Sequence, residues 1–355
     1  MKQLVYKCIG GVLLLALTLP VFAKDAIEKT KEVKKSYTVD ASVRLKVDNQ
    51  FGKVHINTSN SNTLTVDILV RVKQSDEKKA QELLDKITIA INEDLKSAKE
   101  ISFETKIGGK FSNNNKGEFS IDYSISMPRQ NPLEVENSFG DVFLDDFDGS
   151  LDLEVSYGAA KINRISGTAS IEIAFGSGTL AYQKQGELEV SYSKVEAGEL
   201  GVVEVDSEFS DLVITKGNQV NLDAKYGKVK LGEVQSLQAD VQFAGFELSK
   251  VYKSIEADLQ YADNAQIDWV SKAVNSVKIR SNFGSIKVGL QRGMNAEVSF
   301  KSSFGDIDAS ESDFDFNRLS KEDFKRSMEG KIGSGGSNKV ELSADYGKVK
   351  VSVVD

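Results

Sequence analysis

The chain has 355 residues, 40% hydrophobic and 28% charged, with a formal net charge of −8. That balance argues against nucleic-acid backbones and anionic membrane surfaces as partners, and it suits a secreted protein that must stay soluble. A single histidine, His55, and a single cysteine, Cys8, leave no His/Cys zinc set and only one residue for histidine-dependent catalysis.

Residues 1–23 read as a secretion signal. Lys2 and Lys7 supply a positive start, Ile9 to Leu19 an apolar core, and Val21-Phe22-Ala23 a small-residue ending. The apolar run is shorter than the ~20 residues a spanning helix needs, and Pro20 breaks it. A retained N-terminal anchor is the alternative. Cleavage after Ala23 would leave no cysteine, hence no disulfide, and no transmembrane segment in the mature chain. The expected address is the periplasm or cell surface of a bacterium.

Residues 24–36 are rich in Lys and Glu, which predicts a solvated leader or a frayed helix. Residues 37–132 read as N-terminal strands with one inserted helix. Val39, Ala41, Val43, Leu45 and Val47 alternate with polar residues, as do Leu64 to Val72, the pattern of half-buried strands. Ser75 is the expected N-cap of a helix to about Ile87, with Ala80, Leu83, Leu84 and Ile87 on one face. Ile87 to Ile91 returns to strand. Ile101 to Ile107 and Phe119 to Met127 are expected to form two strands around a hairpin loop at 108–117.

From Leu133 the chain repeats. An aromatic residue recurs about every 17 or 18 positions, at Phe139, Tyr157, Phe175, Tyr192, Phe209, Tyr226, Phe243 and Tyr261. Glycine usually follows, as in Phe139-Gly140, Tyr157-Gly158, Phe175-Gly176 and Tyr226-Gly227. The same corner appears early, at Phe51-Gly52, and late, at Phe283-Gly284, Phe304-Gly305 and Tyr346-Gly347. Residues 133–309 are therefore assigned to a regular array. Residues 310–338 read as an inserted flap, a short helix or irregular, ending in the Gly/Ser linker 333–337. Residues 339–355 form the final coil, and 37–355 one continuous domain.

The period fits either stacked coils of an all-β solenoid or hairpins in a meander. Three arguments favour the solenoid. Glycine at a corner reaches φ > 0 at little cost, whereas the corner lacks the Asn-Gly or Asp-Gly of tight hairpins. Aromatic residues at one phase would form an internal ladder, each burying ~150–250 Å². Lys194, Asp211 and Lys228, two positions after successive aromatics, would stack with alternating charge.

The Asn/Ser-x-Phe/Tyr-Gly-x-Val/Ile-x-Leu units resemble those of the bacterial putative-adhesin family of β-strand-repeat proteins, whose repeat domain is called the toastrack. The resemblance spans about 37–355. It implies a right-handed, single-stranded β-helix and a cell-envelope role in adhesion or envelope stress, with no catalytic residues to carry over. The chain departs from the motif at Phe243-Ala244-Gly245-Phe246 and Tyr261-Ala262-Asp263-Asn264.

Candidate chemistry rests on carboxylates. Asp141, Asp145, Asp146 and Asp148 are a candidate calcium cluster, or else solvated turn residues; Glu311, Asp313 and Asp315 form a second group. His55, between Val54 and Ile56, is expected to point outward. Trp269 and Tyr252 are candidate sugar-stacking residues. No cofactor is expected. The reading is a non-enzymatic, adhesin-like envelope protein that binds a glycan or envelope protein, with the insertion 310–338 as a lid or docking flap. The alternatives are a polysaccharide-active enzyme with two carboxylates ~5–9.5 Å apart and an envelope-stress sensor partner. Lys339–Asp355 is expected to leave an open edge for self-association.

Overall fold

A computed structural model describes residues 26–108, 117–262 and 265–355. The signal 1–23 and most of the loop 108–117 lie outside the described residues. Alternating sequences build short strands, and the aromatic corners turn each strand into the next. Parallel registers then stack the turns one period apart. Leu151–Ser156 pairs with Leu133–Ser138 on one side and with the end of Ala159–Ala174 on the other. Ser177–Ser191 and Lys194–Gln260 continue in phase. The parallel pairing makes the array a solenoid and excludes the meander. Inward residues such as Leu153, Val155, Ile171, Ile173, Leu188 and Val190 belong to one apolar cluster that follows the stack.

The corners differ from expectation in two respects. The ladder is external: the aromatics from Phe139 to Tyr346 are 44–53% exposed. Their rings stack face to face, with centroids 4.7–5.3 Å apart along the run from Phe51 to Phe304. That spacing is the strand-to-strand distance of a β-sheet. Moreover, the left-handed residue is the aromatic and, except at Gly227, not the glycine. Phe51, Phe139, Tyr157 and their equivalents have φ of 50–62°. A left-handed bulky residue costs about 1–2 kcal/mol. Each stacked pair returns about 0.5–1.5 kcal/mol; with each pair shared by two rings, the ladder supplies about one pair per ring and offsets much of the strain.

The glycine answers a different constraint. A Cβ on Gly140 would lie 1.9 Å from the carbonyl oxygen of Gly52, and one on Gly158 2.0 Å from that of Gly140. Gly176, Gly305 and Gly347 face the same close approach. Where serine replaces glycine, its hydroxyl joins the ladder: the Gly176 N–H donates to Ser193 Oγ at 2.9 Å, and the Ser193 N–H to Ser210 Oγ at 3.0 Å.

At both ends the stack departs from sequence order. Arg44–Gln50 lies between Glu100–Ile107 and Leu133–Ser138. Val54–Ser59 lies between Glu118–Pro128 and Val142–Leu144. Glu100–Ile107 and Glu118–Pro128 are therefore two sides of one outer coil rather than the expected hairpin. Their outer neighbours are the antiparallel strands Ile87–Asp94 and Thr63–Gln74. The expected leader is itself a strand: Ile27–Thr38 pairs with the whole of Thr63–Gln74. The open edge of that partner outweighs a weak local preference. Val33 and Tyr37 pack against the core, while Lys29 and Lys35 pair with Glu77 and Glu93 at 3.0 and 2.9 Å. The helix is Glu77–Lys86, capped by Asp76 rather than Ser75, and it buries Ala80, Leu83 and Leu84.

At the other end, Lys339–Asp345 is inserted between Ser276–Asn282 and Ala296–Ser303. Val349–Val354 pairs with Ile286–Gln291 and, at its start, with Ile307–Asp308. Of the expected open edge, Lys339–Asp345 is thus occupied on both sides, whereas residues 351–354 pair with Ile286–Gln291 alone. The insertion is a hairpin, Asp315–Glu322 with Lys325–Ile332, that extends the sheet antiparallel. Phe314 and Phe316 pack on Phe300, with centroids 5.5 and 6.3 Å away. The expected linker is a turn in which Ser334 N and Oγ donate to Asn295 Oδ1 at 2.8 and 3.0 Å. The insertion also completes the ladder. Tyr346 lies 4.7 Å from both Phe283 and Phe304, so Phe and Tyr alternate in space where two Phe follow one another in sequence.

Two stability outcomes are expected. Phe209→Ala keeps the left-handed backbone and loses both stacks, destabilising by about 1–3 kcal/mol. Phe209→Gly removes the backbone strain as well, so it is milder by about 1 kcal/mol. Urea unfolding of both variants decides this, and an alanine variant as stable as glycine refutes it. Gly158→Ala must push coils apart and costs about 1–3 kcal/mol, read as a lower midpoint in the same titration.

Candidate functional site

The corner geometry sets what the surface offers. Ring faces in the ladder are covered by neighbouring rings, so only ring edges meet solvent. The ladder is therefore an apolar ridge and not a platform for stacking sugars. Tyr252 and Trp269 sit apart from it, edge-on to each other at 5.5 Å and half-buried.

A second stripe runs parallel to the ridge. On each coil, the residue three before the corner aromatic points outward, and on most coils it is acidic. Register pairs Asp48 with Glu104 and Glu136, Glu136 with Glu154, Glu154 with Glu172, Glu172 with Glu189, and Glu189 with Asp206. Asp223, Asp240 and Asp258 continue the same phase. Arg280 ends the column, 3.0 Å from Asp258. A shallow groove there is lined by Glu204, Asp206, Asp223, Asp240, Glu256 and Asp258.

Like charges stacked in a sheet are destabilising, and at several positions outside the column charges on neighbouring strands pair instead. Lys53 pairs with Asp141 on the next coil at 3.4 Å, Lys250 with Glu233 at 3.2 Å, and Lys348 with Asp308 at 3.3 Å. Lys194 and Lys228 turn to Glu196 and Glu247 at 3.4 and 3.0 Å. Within the column some outer members find cations: Lys46 lies 3.6 Å from Glu136 and Lys225 3.3 Å from Asp223. Among the described residues, Glu154, Glu172, Glu189 and Asp206 form no ion pair. Partial burial, and then the neighbouring carboxylates, raise the carboxyl pKa of Asp48, Glu172 and Asp206 above the ordinary range.

The acidic residues singled out in the sequence are not brought together. Asp141 faces Lys53 and accepts the Ala159 N–H at 3.1 Å. Asp146 accepts the Arg164 N–H at 3.3 Å, and Asp148 pairs with Arg129 at 2.7 Å. Asp145 uses its backbone N–H on Ile56 O. Asp315 pairs with Lys331 at 3.4 Å. Among the described residues, no group of three or more His, Cys, Asp or Glu is placed to hold a metal ion. His55 is exposed, its ring 5.6 Å from that of Phe143. The carboxylate column carried a sequence signal that motif searching passes over: an acid at one fixed phase of the repeat.

No protein-family model and no curated protein matches the chain. Solved structures similar to it include a putative cell adhesion protein from Clostridium sporogenes, at 14% identity and TM-score 0.17, covering 92% of this chain and 100% of that one. Putative adhesins from Parabacteroides distasonis and Parabacteroides merdae are similar at 12% and 11% identity, with TM-scores of 0.33 and 0.29. They cover 91% of this chain, and 97% and 96% of their own. No helix among the described residues is long and apolar enough to cross a membrane.

The column sets a pH dependence. A carboxyl whose folded pKa is raised costs stability above that pKa, and the cost is relieved as pH falls through it. Paired carboxyls act oppositely. Hydrogen bonds from Ser42 to Asp40, from Ser97 to Asp94, from Lys35 and Tyr37 to Glu93, and from Lys230 and Lys228 to Glu247 lower their pKa. Their stabilisation is lost as pH falls through the carboxylate range. Tm is therefore expected to rise on acidification from pH ~7 towards ~5 and to fall below pH ~4. Glu172→Gln with Asp206→Asn raises Tm at neutral pH and flattens the rise. A profile unchanged by the two substitutions refutes the assignment.

Proposed function

We propose that the protein is an exported, non-enzymatic binding or scaffolding protein of the bacterial cell envelope, adhesin-like in use. One observation supports this above the others. The outward face repeats the same two stations, ring edge and carboxylate, once per coil over most of the stack. A surface of this kind suits an elongated or repetitive partner, because many weak contacts held on one frame add as avidity. Function then belongs to the face and not to a single constellation. The Phe314-anchored hairpin, packed at the end of the stack, closes the core instead of standing as a free lid.

The acidic groove near Asp206 is where a polysaccharide-active alternative would be sought. The cations beside it, Lys225, Lys278 and Arg280, are held by Asp223, Glu256 and Asp258 at 3.3, 2.7 and 3.0 Å.

A screen of the purified protein against envelope and host glycans, and against envelope protein fractions, tests both readings by recording binding and turnover together. Saturable binding without turnover is expected. Depolymerisation of any glycan would overturn the non-enzymatic reading, and loss of that turnover in Asp206→Asn would locate it in the groove.

A further inference from the structure

The two stripes of the outward face define what would cover it. The ring edges are an exposed apolar ribbon, and contiguous apolar surface on a folded protein marks an interaction site. The column beside them is negative along its length, and among the described residues its central carboxylates, Glu154, Glu172, Glu189 and Asp206, form no ion pair. We propose that this sheet face docks an extended Lys- or Arg-rich segment of a partner polypeptide, lying along the stack axis. The inference rests on the reading of this face as a binding surface and names the chemistry of its partner.

The geometry selects a polypeptide polycation over other positive ligands. One carboxylate per coil, each pointing outward in parallel, forms a line and not a chelating cage, and no metal-holding group occurs among the described residues. Because ladder ring faces are already stacked, they offer no platform to a sugar ring and no cation–π face. Ring edges do suit the methylene stems of Lys and Arg, which lie along apolar surface while their charged heads reach beyond it. Each exposed pair is worth at most ~1 kcal/mol. Useful affinity therefore requires a run of linked cations along several coils.

Fluorescence anisotropy with labelled dodecalysine tests this. Saturable binding is expected, weakening with added salt, and at least about tenfold weaker for tetralysine. The variant Glu154→Gln/Glu172→Gln/Glu189→Gln/Asp206→Asn should lose about tenfold or more in affinity. A control with the same charge change on the other sides, Glu196→Gln/Glu199→Gln/Asp211→Asn/Asp268→Asn, should stay within about twofold. Equal losses in both variants would reduce the effect to net charge and overturn the proposal, as would absence of binding by the parent protein. Zero-length carbodiimide cross-linking of dodecalysine to the unaltered protein is a measurement that needs no variant. Cross-links concentrated at Glu172, Glu189 and Asp206 are expected, and cross-links scattered over all sides would overturn the assignment. If the column variant still binds the envelope component found in the glycan and protein screen, the docking proposal falls while the envelope-binding reading stands.

Discussion

The structure depends on one repeated constraint. At each corner an aromatic residue sits in the left-handed region so that its ring lies flat on the ring below. The strain of one corner is offset by its neighbours, and an isolated corner would gain nothing from it. The stack is therefore cooperative along its axis, as in other repeat architectures whose units are stabilised by their neighbours. The adjoining glycine column lets the backbones of successive corners close to sheet distance. Ring and glycine together fix the register. Because strand side chains alternate faces, that register also decides which residues meet solvent.

Ends are the weak point of any solenoid, since a terminal coil exposes unpaired backbone and an uncovered core. Here both ends are built by chain that leaves the stack and returns. The helix Glu77–Lys86 and the strands around it cover one end. The hairpin Asp315–Ile332, with Phe314 and Phe316 against Phe300, covers the other. The interpolation of Lys339–Asp345 places that strand inside the array, with neighbours on two sides.

The outward face carries an electrostatic cost. Stacked carboxylates at sheet spacing repel, and partial burial adds to the penalty on Glu172 and Asp206. The unpaired Glu154, Glu172, Glu189 and Asp206 hold stability in reserve for a partner that brings the cations. The aromatic ridge beside them supplies apolar contact without exposing ring faces.

The sequence by itself determined the solenoid. A fixed period, strict alternation and a recurring corner leave few ways to bury the apolar residues except by stacking in phase. It also carried the carboxylate column, as an acid three positions before most corner aromatics. Tertiary structure decided the rest. Which corner residue takes φ > 0 depended on the backbone of the next coil, whose carbonyl lies where a glycine Cβ would be. Whether the rings faced in or out depended on that same left-handed turn. Ile27–Thr38 became a strand only because Thr63–Gln74 offered an open edge, and the order of the end coils depended on contacts hundreds of atoms apart along the chain. Local sequence states preferences of one strand at a time, whereas these outcomes belong to pairs of coils.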